Sequence, residues 1–374
     1  MPRSPSRYEP APVSGYLGPA GLKLATQGGS YKLYEGDSYL VPPEGLRLED
    51  VDLRDPANYR YTSFRGSPAL RDALVAKLAR QNAITATPAA IAITAGATHG
   101  LACAFRAVLA PGDEVLVLSP HWPLIAGQLR AVGATLVEVP FGSDPGGFVT
   151  PKTAAIYFAT PNNPDGHVLD APALAALATF AATHDLWVIA DEAYEDFVYE
   201  GAHRSIAALP GMAARTITAF SLSKTYAMAG LRLGYVVAPE AVATSILAMS
   251  LHSIYHVPVH LQALALRALE RGADFIAHAR GLYREARDAT VAKLAPLGVT
   301  APPAGVFVFF DLAPHGPDLF DRLLDAGVGL TPGGMFGARF RTWARLCYSA
   351  APPDQVALGV DRLLAVISAG NATP

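Results

Sequence analysis

The sequence predicts an α/β fold, in which a large domain built on a mainly parallel sheet is joined to a smaller α+β domain. Three observations point there. Short apolar runs alternate with longer helical patterns through much of the chain. Four of these runs stop abruptly in polar, aromatic or turn-forming residues. The last third changes texture, with an Ala/Leu/Arg-rich helical stretch and fewer, shorter strand candidates. At 374 residues the chain exceeds one ordinary core, which agrees with two units.

In chain order, residues 1–15 read as a flexible arm, and the proline and charge there stand where a signal peptide would need an apolar core. The expected division assigns 37–265 to the large domain, and 16–36 with 266–374 to the small one. The four runs are EVLVL (114–118) before SPHW, AIYFA (155–159) before TPNNPDG, LWVIA (186–190) before DEAYE, and TITAF (216–220) before SLSK. Ligands of open α/β sheets sit outside the carboxyl ends of the strands, so these endings should meet at one crevice. They supply Trp122, Asn163, Asp191, Tyr194, Ser221 and Lys224. In AITAGATHGLACAF, Gly96, Ala97 and Thr98 open a helical pattern, and such a small-residue N-terminus suits an anion. Beyond 262–297, the segments AGVFVFFDL and WARLCYSA are strand candidates and DLFDRLLDAG is a helix candidate.

Composition narrows the function classes. With 51% hydrophobic and 16% charged residues the chain is globular, and its net charge of −3 gives no footprint for nucleic acid. No run approaches the roughly 18 apolar residues of a membrane span. The two cysteines, Cys103 and Cys347, have no metal-ligand or CxxC spacing, so no metal site is expected and a reducing, cytoplasmic setting fits. A nicotinamide dehydrogenase would want GxGxxG after an early strand, and the sequence has none.

An anion site, a stacking aromatic, a strand-end Asp and a Lys together describe a pocket for a phosphorylated aromatic aldehyde, as pyridoxal 5'-phosphate is. The segment SLSKTYAMAGLRLG (221–234) then resembles the lysine-attachment motif of class I and II aminotransferases of PLP fold type I, with Ser221, Ser223, Lys224, Gly230, Arg232 and Gly234 at the expected spacings. The likeness runs from about Gly36 to Leu364.

The resemblance implies a PLP-dependent transferase fold, a ping-pong transfer of an amino group from an L-amino acid to a 2-oxo acid, and a homodimer with shared active sites. It implies that Lys224 forms the Schiff base and moves the proton at the substrate Cα, and that Asp191 holds the pyridine nitrogen protonated. Tyr194 and Asn163 fall on partners of the cofactor's 3'-oxygen, and Trp122 on the aromatic against the ring face. Ser221, Arg232, Ala97 and Thr98 fall on the phosphate cup, and Tyr61 on a tyrosine that crosses to the neighbouring subunit's phosphate. Arg345 matches the clamp for the substrate α-carboxylate, and Gly36 a glycine whose backbone closes over the substrate. Carbon-sulfur lyases and cyclopropane-forming synthases share these motifs and are the alternative reading. A PLP-fold sensor attached to a transcription regulator would need a DNA-binding module, and neither the length before Gly36 nor the charge supplies one.

Three departures accompany the likeness. Asp165 stands where Thr or a similar residue is usual, the region before Gly36 is short, and 142–154 lacks the usual helix between two strands. Tyr31, Tyr34, His121, Tyr255 and His256 are candidates to line the side-chain pocket, favouring an aromatic or polar substrate.

Overall fold

A computed structural model of the chain describes residues 29–371. The expected arm, 1–15, and residues 16–28 of the expected small domain lie outside them. After a short strand β1 (Tyr31–Lys32), the chain builds a seven-stranded sheet from β2 (Ile91–Thr94), β3 (Glu114–Ser119), β4 (Thr135–Pro140), β5 (Thr153–Ala159), β6 (Trp187–Asp191), β7 (Thr216–Ser221) and β8 (Gly234–Val237). Their spatial order is β2-β8-β7-β6-β5-β3-β4. Neighbours run parallel except around β8, which is antiparallel to both β2 and β7.

The four apolar runs form β3, β5, β6 and β7 because successive side chains point to opposite faces and both faces are covered. Val115, Val117, Tyr157, Ile189 and Ile217 pack on one face with Leu101, Phe105 and Ile246 from helices. Leu116, Leu118, Ile156, Phe158 and Val188 pack on the other with Leu174 and Leu177. At about 1.5–3 kcal/mol for each fully buried aliphatic side chain, this two-sided burial fixes the register.

Strands β4 and β5 flank β3 on opposite sides, so their connection crosses a single strand. It does so over 141–152 with one short 3-10 turn, Pro145–Phe148, which is why 142–154 can dispense with a helix.

Beside this sheet, β9 (Phe307–Asp311) and β11 (Thr331–Pro332) pair antiparallel with β12 (Trp343–Cys347), while β1 pairs parallel with β10 (Val328–Gly329). The helices Ala273–Leu294 and Pro353–Asn371 pack here, giving a core of Leu33, Tyr283, Ala286, Phe307, Leu346 and Val360. The preceding helix, Val259–Arg271, faces the other way, with Leu264, Ala265 and Ala268 joining Leu70, Ile91 and Phe220 beside the large sheet. Between the two helices sits Gly272, where a Cβ would lie 2.3 Å from Tyr226 and 2.6 Å from the Ala268 carbonyl. Among the described residues, no helix is long and apolar enough to cross a membrane.

Candidate active site

The carboxyl ends of β3, β5, β6 and β7 meet the N-terminus of the helix Gly96–Val108 at a cavity of about 560 Å³. Ala97, Thr98, Trp122, Asn163, Asp191, Tyr194, Ser221, Lys224 and Arg232 line it from the large-sheet side. Arg345 lines it from β12, and Glu35, Gly36 and Asp37 come from the segment after β1. Of the residues assigned to cofactor or α-carboxylate in the sequence, Tyr61 alone stands apart. It is 82% exposed, and its ring lies 4.7 Å from that of Tyr255 and 6.1 Å from that of His256.

Lys224 sits in the one-turn helix Leu222–Thr225, whose first turn is closed by Ser221 Oγ accepting from the Ser223 N–H at 3.2 Å. The segment 221–234 is the return from β7 to the antiparallel β8, with Ser221 opposite Gly234. Gly234 has to be glycine because an added Cβ would lie 2.7 Å from the Ala97 nitrogen, the Gly96 carbonyl carbon and the Phe220 oxygen. Burial pushes the Lys224 amine below the ordinary lysine value, against the pull of Asp37. The amine donates to the Gly36 carbonyl.

Asp191 closes β6. Its carboxylate accepts from the Ala193 N–H at 3.1 Å and the Tyr157 hydroxyl at 3.3 Å, and among the described residues it has no ion-pair partner. Burial therefore pushes it up to about 6. A buried carboxylate so raised is short of a cation.

The opposite imbalance holds at the helix N-terminus. Arg232 folds back in the left-handed region, φ +55°, and gives Nη1 to the Ala229 carbonyl at 2.7 Å. Its guanidinium lies so close to Gly96 that a Cβ there would come within 2.7 Å of Nη2. A guanidinium against the positive end of a helix dipole is a site suited to an anion.

Arg345 is buried, with Nη1 on Asn163 Oδ1 at 2.9 Å and Nη2 on the Tyr34 carbonyl at 2.6 Å and Thr331 Oγ1 at 3.1 Å. It lies over the Phe307 and Phe336 rings, 4.2 and 5.1 Å from their centroids. Tyr194 packs edge-on to Phe307. The turn after β5 is held by Asp165, which accepts from Asn162 Nδ2 at 2.8 Å and the His167 N–H at 3.1 Å. The departure from Thr thus braces the segment that presents Asn163.

None of the five expected pocket residues lines the cavity. Tyr31 is committed to β1, Tyr34 contributes its carbonyl, and His121 is buried with Nδ1 3.0 Å from the Trp122 carbonyl. Tyr255 and His256 lie with Tyr61 on an outer face.

Sequence reasoning missed Glu35, Asp37 and Tyr157, the last because it reads as one more apolar position of β5. It also missed a buried ionic group under Lys224. Thr225 Oγ1 donates to Asp196 at 2.8 Å, and Lys77 Nζ bonds Glu195 at 2.5 Å and Asn82 at 2.9 Å.

The sequence matches the family described as aminotransferase class I and II over residues 31–363. It is 38% identical to a probable aspartate/prephenate aminotransferase of Thermus aquaticus over 75% of this chain and 77% of that one. It is 35% identical to an arginine–pyruvate transaminase of Pseudomonas aeruginosa over 81% of each. Among solved structures it is similar to the Thermus thermophilus aspartate aminotransferase with maleate, at TM-score 0.89 and 32% identity over 98% of this chain and 100% of that one. It is also similar to the N-succinyldiaminopimelate aminotransferase of Mycobacterium tuberculosis, at TM-score 0.90 and 27% identity over 97% and 100%.

Proposed function

The chain belongs to the class I and II aminotransferases and is a transaminase, and on that premise we propose which of its residues hold the cofactor and which the substrate. The elimination and replacement reactions of the alternative reading are not favoured, since these relatives are named as aminotransferases.

The cofactor is pyridoxal 5'-phosphate. Its fit rests on two features of the cavity, a buried carboxylate with no ion-pair partner among the described residues at Asp191 and a guanidinium at a helix N-terminus, suited to a phosphate, at Arg232 and Gly96. The protonated ring nitrogen would meet Asp191. The phosphate would meet Arg232, Ser221 and the Ala97–Thr98 end of the helix, and Lys224 would hold the aldehyde covalently through Nζ. Trp122 would face the ring, and Asn163 and Tyr194 its 3'-oxygen. When bound, the cofactor supplies an electron sink for the carbanion formed at the substrate Cα.

The remaining work falls to side chains. Arg345 binds the α-carboxylate of an L-amino acid or 2-oxo acid through its planar fork, which the two aromatic faces hold flat. Lys224 Nζ would carry the proton between the substrate Cα and the cofactor's C4' carbon, a task eased by the burial that lowers its pKa. Ionised Asp191 keeps a proton on the ring nitrogen. Gly36 covers the substrate from the mouth.

Tyr61, exposed and packed against Tyr255, reaches the phosphate site of a second copy, so the working unit is a homodimer. We place the boundary between the two domains at Gly272 rather than at the expected 265/266, because the helix Val259–Arg271 packs beside the large sheet, and the protein works in the cytoplasm.

The observation that carries this reading is the convergence of Lys224, Asp191, Arg232 and Arg345 on one cavity. The test is the visible absorbance of the protein with pyridoxal 5'-phosphate, before and after adding an amino acid without any oxo acid. Loss of the lysine-bound band with one equivalent of 2-oxo acid is expected. Release of ammonia or thiol with the band restored would make the chain an elimination enzyme.

A further inference from the structure

The names of the relatives span acidic, basic and aromatic substrates, so they do not choose a donor for this chain. The charges of the cavity do. Among the described residues its charged lining is Asp191, Lys224, Arg232 and Arg345, together with Glu35 and Asp37. In the functional reading above, on which this inference rests, the first three serve the cofactor and Arg345 serves the α-carboxylate. What remains for the substrate side chain is acidic.

The backbone that carries these two residues is anchored at three carbonyls. Arg345 Nη2 donates to the Tyr34 carbonyl at 2.6 Å, Lys224 Nζ donates to the Gly36 carbonyl, and Ser349 Oγ donates to the Asp37 carbonyl at 2.6 Å. The segment is thus anchored to the groups that would grip a substrate, with Glu35 and Asp37 on either side of Gly36. The Glu35 carboxylate makes no hydrogen bond or ion pair among the described residues. Asp37 Oδ1 accepts only from the next residue, the Ser38 N–H, at 2.9 Å. A substrate held at Arg345 and Lys224 shares the cavity with these two acidic residues, Asp37 close enough for its charge to act on Lys224, and with no uncommitted cation among the described lining residues. A second carboxylate on the substrate would meet like charge, and a guanidinium or ammonium would meet opposite charge.

We propose that Glu35, backed by Asp37, directs the enzyme toward amino donors with a cationic side chain and against dicarboxylic ones.

The experiment measures kcat/KM for the half-reaction of the holoenzyme, followed by cofactor absorbance, with lysine, arginine, norleucine, glutamate and alanine. Lysine and arginine are expected to exceed norleucine by about two- to fivefold at low salt, the size of a favourable exposed charge pair, and to exceed glutamate by more. Added salt shrinks the advantage. In the isosteric Glu35→Gln the lysine-to-norleucine ratio falls toward one, and in Glu35→Lys glutamate overtakes lysine. An unchanged ratio in Glu35→Gln, or glutamate as the best donor of the unaltered enzyme, overturns the proposal. If norleucine and alanine convert as well as lysine, this inference alone fails. If no donor alters the absorbance, the functional reading fails and this inference falls with it.

Discussion

The cavity has a floor and a roof of different construction. The floor is made of strand ends and helix starts of the seven-stranded sheet, with Asp191 and Ser223 buried and Gly234 wedged against two backbone segments. The roof is the stretch Tyr34–Asp37, in which Glu35 and Asp37 are exposed and the main-chain carbonyls make the attachments. Groups that must keep one geometry through a reaction are carried by regular structure, and groups that meet a variable side chain by a loop. Chemistry should therefore be a property of the floor and donor choice a property of the roof.

Four substitutions test that division, in order of expected size. Lys224→Ala should lower turnover at least about 10³-fold with every donor alike, since it removes the proposed proton carrier, and it should abolish the visible band of the bound cofactor. A variant that lost turnover with some donors only would break the comparison. Asp191→Asn should cost about 10²-fold in kcat, again for all donors.

The same substitution has an opposite effect on stability in the cofactor-free protein. Asp191 is raised to about 6, so between the usual carboxylate value and about 6 the folded state binds more protons than the unfolded one. Stability is therefore lost as pH rises through that window. The loss is on the order of 3 kcal/mol for this buried group, and the Asp191→Asn variant would not show it. Thermal unfolding as a function of pH checks the sign.

Arg345→Lys should reduce kcat/KM for amino acids about 10- to 100-fold while leaving cofactor affinity within a factor of about two, because one charge-assisted bond of the fork is lost. Comparable loss of cofactor would make Arg345 a structural residue of β12. Gly36→Ala should have the smallest effect, a few-fold in KM. Its Cβ would sit 3.2 Å from Phe307 Cζ, close enough to shift that ring slightly, and 3.9 Å from Arg345 Nη2, an ordinary contact that leaves the guanidinium in place. A KM change that depended on the donor would sharpen the assignment of selectivity to the roof.

The same division explains what could be read from the sequence. Four strand ends were legible because a strand buried on both faces is an unbroken apolar run, and the polar residue that ends it stands out, as Asp191 does after LWVIA. β8 was not, since GYVV is too short to distinguish from a loop and its antiparallel direction is set by the return of 221–234. The turn at Asp165 looked like a departure because its role lies in bonds to Asn162 and His167 that no spacing rule encodes. Glu35 carries no periodic or motif signal, and its meaning appears once Arg345 and Lys224, far along the chain, are found to hold the carbonyls on either side of it.

The packing at Gly234 bears on how such an enzyme could be redesigned. Three main-chain atoms crowd the place where a Cβ would go, so the spacing between the lysine loop and the helix that opens at Gly96 is set by contact of backbone with backbone. No choice of side chain can widen or narrow it. Mutational libraries aimed at new substrates would find almost no viable members at that seam, and diversity is better placed at positions 35 and 37.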